Sequence, residues 1–292
     1  MVSTRALVKR RKTVRNIRKI TRTMELIATN RFQRALKRDL EAEAYTRKLS
    51  EIAADLRRSS GEATHPLLAM RPIVRRSLLL VITSNRGLCG GYNSAILREA
   101  NLRMRQLQSA NIPLELELAG KRAITYYRYQ GITPRATYTN FEDRPRFEEV
   151  EVPANRYIDD FLNGVVDQVD VAYMQFQSLS RQVPVVETLL PMAQVSGKGQ
   201  IQPEGPPLQY EFIPNAEEIL SELVPASFKS QLYKCFLDAA VSEQIARRVA
   251  MKQATENASE MIKSLTRDYN RLRQANITRE IAEIIGGAAA LE

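Results

Sequence analysis

A glycine-rich segment, Gly87-Leu88-Cys89-Gly90-Gly91, comes closest in residue type and spacing to a nucleotide-binding motif. It follows the apolar run 77–83 and precedes a helix-like stretch at 93–110, and many nucleotide-binding domains begin in this way. A P-loop, however, needs a lysine and a hydroxyl residue after its last glycine. A dinucleotide turn needs G-x-G-x-x-G and an acid about 20 residues on. Neither pattern is present, which favours a tight strand-to-helix turn over a phosphate site.

Other groups that could do chemistry are isolated from one another. Cys89 precedes a predicted helix, a position that favours a reactive thiol, but the sequence has a single histidine, His65, to act as a partner. One histidine also removes most metal sites. The acids Glu148, Glu149 and Glu151 indicate a solvated helix face. We therefore expect no catalytic residue, no cofactor and no metal, and we expect Cys89 and Cys235 to be free thiols.

The positive charge is concentrated at the N-terminus. Residues 1–50 hold 15 Lys and Arg against four acids, whereas the rest of the chain is nearly balanced. This distribution indicates an anionic partner for one segment. Nucleic acid and the acidic surface of a surrounding protein are both compatible with it. No nucleic-acid-binding module is recognisable, and no aromatic residues are interleaved with the basic run 5–22 to stack on bases.

Both ends of the chain predict long helices. Residues 3–58 contain no Pro or Gly and carry an apolar heptad stripe of small residues. The stripe consists of Leu7, Val14, Thr21, Ala28, Ala35, Ala42, Leu49 and Leu56, with Ile17, Ile20, Met24 and Ile27 expected on the same side. A second stripe runs from 251 to 284 through Met251, Ala258, Ile262, Leu265, Tyr269, Leu272, Ile277 and Ile284. A short helix at 215–223 is expected before it, and Gly286-Gly287 is expected to loosen its end.

The middle of the chain alternates apolar runs with helix-like stretches, which is typical of an α/β layer with a mostly parallel sheet. We predict strands at 77–83, 114–119, 132–138, 169–177 and 183–190, with the last two forming an antiparallel edge. Helices are predicted at 93–110, 120–130 and 155–166. The domain layout is a helix over 1–60, a Rossmann-like α/β base over 73–192, a linker over 193–213 and a helix over 214–292.

The terminal helices are too long to be covered by the base. A helix of about 55–60 residues is roughly 80–90 Å long, whereas a domain of about 130 residues has a radius of gyration of only ~14 Å. The two stripes are therefore predicted to pack on each other as a long antiparallel coiled coil projecting from the base.

Three segments together closely resemble the gamma subunits of F-type ATP synthases. They are RNIRKITRTMELIATNRFQRA (15–35), ITSNRGLCGGYN (82–93) and the C-terminal ENASEMIKSLTRDYNRLRQANITREIAEIIGGAAAL (256–291). The resemblance implies a rotating central shaft, with no active site of its own, that couples proton-driven rotation of the membrane c-ring to ATP synthesis. Its partners would be the alpha and beta subunits of the head, the epsilon and delta subunits, and the c-ring.

The resemblance also implies the residues that contact the stator. Arg86, in the glycine turn with Cys89, would contact a catalytic subunit, and Arg273 and Gln274 would make a second polar contact. Further members of this predicted set of contact residues are Met24, Cys89, Arg247, Thr278 and Glu280. Asn85 departs from the family, which usually has Asp before Arg-Gly-Leu-Cys-Gly. The basic run would then face acidic protein surfaces and not nucleic acid.

The sequence further indicates a peripheral protein. No apolar run approaches the ~18 residues of a membrane span, and no apolar segment follows the N-terminal charges as in a secretory signal. Because no cysteine-bearing insertion lies in the middle domain, no redox switch is expected. These features fit the cytoplasmic face of a bacterial plasma membrane, with a mature organelle form as the alternative.

Overall fold

The computed structural model describes residues 4–59, 65–141, 144–192 and 216–289. The chain divides into two compact units. The helical unit comprises Met1–Thr29 and Arg247–Glu292, and the sheet unit comprises Asn30–Ala246. The first and last helices of the chain contribute residues to both units.

The described elements alternate between strand and helix in the middle of the chain. In order they are α1 (Thr4–Ser59), a 3-10 turn (Pro66–Leu68), β1 (Ser77–Ile82), α2 (Tyr92–Ser109), β2 (Leu114–Ala119), α3 (Lys121–Tyr129), β3 (Ala136–Tyr138), α4 (Phe147–Leu162), β4 (Gln168–Ser178), β5 (Arg181–Leu190) and α5 (Ala216–Ala289).

One five-stranded sheet organises the sheet unit, in the order β3-β2-β1-β4-β5. The strands β3, β2, β1 and β4 are parallel, and β5 pairs antiparallel with β4. The predicted fold class, a mostly parallel α/β sheet between long terminal helices, is confirmed, as is the antiparallel edge. The third strand is shorter than predicted and covers only Ala136–Tyr138.

The central strand β1 is buried on both faces, which explains its unbroken apolar sequence. Leu78 and Leu80 point into a core shared with α4 and α5. Leu79 and Val81 point into a second core, shared with α2 and α3. The segment of α5 within the sheet unit is therefore part of the globular core as well as a partner of α1.

Helix α4 begins earlier than predicted, at Phe147 instead of residue 155. The prediction started after Pro153, because proline usually breaks a helix. In the structure Pro153 is buried on the same face as Val150, Tyr157 and Phe161, and this packing outweighs the missing backbone donor. Of the acids expected on a solvated face, Glu148 is exposed, and Glu151 forms an ion pair of 2.8 Å with Lys229.

In the helical unit, α1 and α5 pack antiparallel. Val14 shares a buried cluster with Ala258 and Leu265. The Thr255 hydroxyl donates to Thr21 Oγ1 at 2.8 Å. The Arg11 guanidinium lies 5.1 Å from the centre of the Tyr269 ring, so residues later in α1 meet residues earlier in α5.

The same antiparallel pairing occurs between the parts of the two helices that belong to the sheet unit. Ala35 packs with Val241 and Ile245, and the hydroxyls of Thr46 and Ser230 lie 2.6 Å apart. Ala28 in the helical unit and Ala35 here are 1% and 3% exposed, as the small-residue stripe predicts. The predicted two-helix pairing is thus present in each unit.

Three residues that were predicted to lie on the same side of α1 as the buried stripe do not do so. Ile17, Ile20 and Ile27 are exposed, so this part of the prediction was wrong. A helix advances by 100° per residue, so these positions lie to one side of the face that carries Val14 and Ala28. Ile277 and Ile284, predicted to extend the C-terminal stripe, are also exposed.

The C-terminal segment is one helix, and the prediction of a separate short helix at 215–223 was wrong. Pro225 lies inside α5. The turns on both sides of it are anchored in the sheet-unit core by Val224 and Phe228, so the helix continues despite the lost hydrogen bond. Gly286 and Gly287 also fall within the helix. The predicted linker at 193–213 lies outside the described residues, and the predicted domain boundaries remain a prediction.

A buried charged cluster joins α1 to α5 inside the sheet unit. Lys234 Nζ lies 3.2 Å from Asp39 Oδ1, 3.3 Å from Asp238 Oδ1 and 3.8 Å from Glu43 Oε2. Asp39 is 1% exposed, and its Oδ2 accepts no hydrogen bond from a described donor. Two buried carboxyls thus share one ammonium, which favours keeping a proton on one of them.

Burial raises the pKa of Asp238 to about 8, with Lys234 opposing the shift and Asp39 adding to it. Burial alone would lower the pKa of Lys234, but Asp238, Asp39 and Glu43 together raise it. Tyr173 of β4, Glu187 of β5 and Cys235 of α5 also face the cluster, and burial raises the pKa of both Tyr173 and Cys235. Neither of those two groups ionises below pH 8, so Asp238 is the group of the cluster whose raised pKa falls in the neutral range.

The chain is expected to lose stability as the pH rises from about 4 to about 8. In this window the folded chain holds a proton on Asp238 that the unfolded chain releases, so the free energy of unfolding falls with pH. Urea unfolding of the full chain at pH 6 and pH 9 should show a fall of about 1–3 kcal/mol from this group.

Asp238→Asn should remove that fall, and Asp159→Asn, on the exposed face of α4, should leave it in place. An Asp238→Asn chain with the same pH slope as the unsubstituted chain would show that the proton is held elsewhere.

Candidate partner-binding sites

The glycine turn connects β1 to α2 and is held by its own side chains. Ser84 donates its backbone N–H to Asn93 Oδ1 at 3.0 Å and its hydroxyl to the Arg86 carbonyl at 2.6 Å. Asn93 Nδ2 donates to Ser84 Oγ at 2.9 Å and to Cys89 Sγ at 3.1 Å. Gly90 has a φ of 56°, the left-handed conformation expected of a tight turn, and Leu88 shares it at 66°. The polar groups that point inward are satisfied within the turn.

The neighbouring helix α3 offers no free N-terminus to an anion. Lys121 N–H donates to Asn85 Oδ1 at 3.0 Å, Arg122 N–H to the Ser84 carbonyl at 3.2 Å, and Ala123 N–H to Thr83 Oγ1 at 3.0 Å. Phosphate sites at helix N-termini depend on such donors being available. Here the segment after β1 occupies all three.

Helix α5 covers the place where ligands bind in many sheets of this kind. In open parallel sheets, ligands bind beyond the carboxyl ends of the strands, where the strand order reverses. Here Tyr92, at the start of α2, donates its hydroxyl to the Ala239 carbonyl of α5 at 3.0 Å. The cavity that remains between Ile82, Ala119 and Phe236 has a volume of about 20 Å³. It has room for one water and not for a nucleotide, which needs several hundred Å³.

The outward side of the turn presents Arg86 and Leu88, and Leu88 is 60% exposed. Cys89 is 2% exposed, and its thiol faces Ser84 and Asn93 inside the turn. Arg86 is placed where a neighbouring protein can reach it, whereas Cys89 is buried, and the partner contact predicted for Cys89 stays a prediction.

Asn85, noted in the sequence only as a departure from the family, has a role that sequence reasoning missed. Its Nδ2 donates to the carbonyls of Thr139 and Phe141, both at 3.1 Å, while its Oδ1 accepts from Lys121. The side chain fastens the turn to two other segments. All three partners of Asn85 are backbone groups, which every residue type has. The residue types at the partner positions therefore give no indication of these contacts in the sequence.

The other six predicted contact residues belong to the helical unit. Four of them, Arg273, Gln274, Thr278 and Glu280, are exposed on α5, and the Thr278 hydroxyl donates to the Gln274 carbonyl at 3.0 Å. Met24 on α1 is half-buried, and Arg247 on α5 is 7% exposed. The structure thus places four of the six where a partner can contact them directly.

Helix α1 of the helical unit carries an exposed basic face. Its exposed cations are Arg5, Lys9, Arg10, Lys12, Arg15, Arg18, Lys19 and Arg22. Among residues that the structure describes, only Arg22 of this set forms an ion pair, with Glu25 at 2.9 Å. The exposed Ile17, Ile20 and Ile27 lie among these charges and were missed as surface residues. The face combines positive charge with apolar contact area.

Comparison with known proteins decides the family. The ATP synthase family model (ATP-synt) matches residues 3–291. The ATP synthase gamma chain of Rhodopirellula baltica is 48% identical, and that of Leptospira biflexa is 38% identical, each alignment covering 100% of both chains. The chain belongs to the ATP synthase gamma-chain family.

The fold of this gamma chain also matches solved structures. A chain of the Euglena gracilis mitochondrial ATP synthase OSCP/F1/c-ring, in rotational state 3, is 19% identical with a TM-score of 0.64 and covers 99% of this chain and 94% of its own. One from the Tetrahymena thermophila mitochondrial central stalk and c-ring is 20% identical with a TM-score of 0.57, covering 80% and 99%.

As a member of this family, the chain is a non-catalytic stalk subunit of an ATP synthase, and the catalytic sites of the complex are on the beta subunits. In the described ranges, no helix has the length and apolarity needed to cross a bilayer. No group of three or more His, Cys, Asp or Glu in the same ranges is arranged to hold a metal ion. Its membership of the gamma-chain family makes this chain a peripheral part of the ATP synthase complex.

Proposed function

We propose that this chain transmits torque between a membrane c-ring and the catalytic beta subunits, at the cytoplasmic face of a bacterial plasma membrane. The observation that carries the proposal is the antiparallel pairing of α1 and α5 in the helical unit. The whole-length similarity to the gamma chains of two bacteria supports the location.

A shaft must resist twisting, and two paired helices resist it better than one. Small residues at the contact, Ala28 at 1% exposed and Ala258 at 6%, let the backbones approach closely. A hydrogen bond between the side chains of Thr21 and Thr255 crosses the pair. The buried seam therefore gives the helical unit one defined packing that can carry a torsional load.

The outside of a shaft must contact the stator without locking to it. The basic face of α1 suits an acidic protein surface, because exposed ion pairs contribute only about 0–1 kcal/mol each and re-form easily. Ile17 and Ile20 add apolar contact without a deep pocket to fill. We infer that the acidic lever of a beta subunit faces these residues in the assembled complex.

Two polar contacts are proposed to couple this chain to the conformation of the catalytic subunits. Arg86 would contact one beta subunit from the glycine turn, and Arg273 and Gln274 would make a second contact from α5, with Thr278 and Glu280 beside them. Met24 and Arg247 would lie at the rotor–stator boundary. The half-buried and buried positions of these two residues suit a role in shaping the helix pair more than in binding a partner directly.

A pull-down of the tagged chain from its native membranes tests this function. We expect alpha, beta, epsilon and delta subunits and the c-ring to co-elute at physiological salt. A chain that elutes without them, and that binds nucleic acid with an affinity falling steeply with salt, would support the alternative reading of the basic face. Saturable nucleotide binding by the isolated chain would contradict the assignment of the glycine turn.

A further inference from the structure

The two residues before Arg86 fix the segment that carries it. Ser84 donates its hydroxyl to the Arg86 carbonyl at 2.6 Å. Asn85 bonds to three backbone groups from two other parts of the sheet unit. Arg86 is an exposed residue on a backbone that cannot shift without breaking these bonds.

The three partners of Asn85 require a carboxamide. Two are carbonyl oxygens, of Thr139 and Phe141, and need donors, while the third is the Lys121 N–H and needs an acceptor. An amide supplies two donors and an acceptor on one planar group. An ionised carboxylate could still accept from Lys121 but would set a negative oxygen against two carbonyl oxygens.

We propose that Asn85 is the positioning residue for Arg86, holding the turn against the segment 139–141 and the start of α3 so that the guanidinium meets its beta-subunit contact in one fixed orientation. The inference rests on the proposed function of Arg86. It assigns to Asn85 a mechanical role that an ionised Asp side chain at this position could not perform through the same three hydrogen bonds.

The test compares variants in the assembled complex, with proton-driven ATP synthesis and ATP hydrolysis both measured. Asn85→Asp and Asn85→Ala should lower ATP synthesis by about threefold to tenfold, the range that one or two hydrogen bonds control, with hydrolysis less affected. Asn155→Asp makes the same chemical change on the exposed face of α4 and should leave both rates unchanged.

A double substitution separates positioning from a merely structural role. If Asn85 acts through Arg86, then Asn85→Asp should cause no further loss in a chain that already carries Arg86→Ala. A full additional loss there would overturn the proposal. If Arg86→Ala alone left ATP synthesis unchanged, the proposed contact of Arg86 would be wrong. Normal synthesis with Asn85→Asp, together with a defect in Arg86→Ala, would refute only the positioning role.

Hydrogen exchange of the isolated full chain provides a second measurement, for the case in which a variant fails to assemble. In Asn85→Ala the Lys121 amide should exchange at least about tenfold faster, because it loses its acceptor. Amides of the central strand β1, such as that of Leu80, should keep their protection. An unchanged Lys121 rate would show that Asn85 does not hold the turn and would overturn the proposal.

Discussion

Gly120→Ala is expected to destabilise the chain by about 4 kcal/mol or more, enough to prevent stable folding. Gly120 has a φ of 99° and a ψ of 138°, a conformation available almost only to glycine. A Cβ at this position would also overlap the Thr83 carbonyl. Neither the backbone of β1 nor that of the turn before α3 can withdraw, since Thr83 N–H and Gly120 N–H both bond within the sheet unit.

Two other glycines of the sheet unit provide matched controls for the backbone conformation alone. Gly131 and Gly164 have φ values of 73° and 70°, but a Cβ at either would meet nothing within 4 Å. Gly131→Ala and Gly164→Ala should therefore cost only about 1–2 kcal/mol. Urea unfolding of the three variants measures the difference. If Gly120→Ala and Gly131→Ala lowered the free energy of unfolding equally, the contact between a Cβ at position 120 and the Thr83 carbonyl would add no destabilisation.

Arg273→Ala combined with Gln274→Ala is expected to lower proton-driven ATP synthesis by the assembled complex by about tenfold or more. Hydrogen bonds that involve a charged group contribute about 1.5–3 kcal/mol each, and both side chains are proposed to bond a catalytic subunit. Folding of the isolated chain should change little, because both residues are exposed and substitutions at such positions usually stay within about 0.5 kcal/mol.

The measurement is ATP synthesis in membrane vesicles, with assembly checked by the amount of alpha and beta subunits that co-purify. Arg271→Ala removes an exposed arginine of the same helix and serves as the matched control. Unchanged synthesis by the assembled double variant would contradict the contact. An equal loss with Arg271→Ala would show that the helix acts through its general charge and not through these two residues.

Much of the sheet could be predicted because its signals are local. The apolar runs of β1 and β2 are bounded by turn residues, and β4 and β5 flank a short polar turn, so periodicity alone located them. Helix α4 was misjudged at its start because Pro153 weighs against a helix in any local rule. Its burial against the sheet is a tertiary contact that no local rule contains.

The sequence predicted both terminal helices, but it assigned only part of the buried face of each helix correctly. The heptad positions Val14, Ala28 and Ala35 are buried as expected, whereas Ile17 and Ile20 are exposed. An apolar residue in a sequence is normally predicted to lie in the core of its own chain. An apolar residue on a surface that contacts another protein is therefore assigned to the core by mistake. In the proposed function these exposed isoleucines contact a neighbouring subunit, and a single sequence does not distinguish such a surface from a core.

The residues of the candidate sites came from resemblance, and the structure adds what resemblance could not. Arg86 was named because a family motif contains it, but the function of Asn85 depends on carbonyls at Thr139 and Phe141, more than 50 positions away along the chain. The exclusion of nucleotide from the glycine turn followed from its spacing. Its physical cause, the covering of the sheet's carboxyl edge by α5, required the fold.

Rotation of this chain inside the assembled complex tests the central claim most directly. Cys89 and Cys235 are both buried, so a cysteine introduced at Tyr129, which is 92% exposed, can carry a bead or fluorescent probe selectively. With the complex immobilised through its beta subunits and supplied with ATP, the probe should turn in one direction, in steps set by the three beta subunits. A probe that stays still while the same complexes hydrolyse ATP would contradict the account.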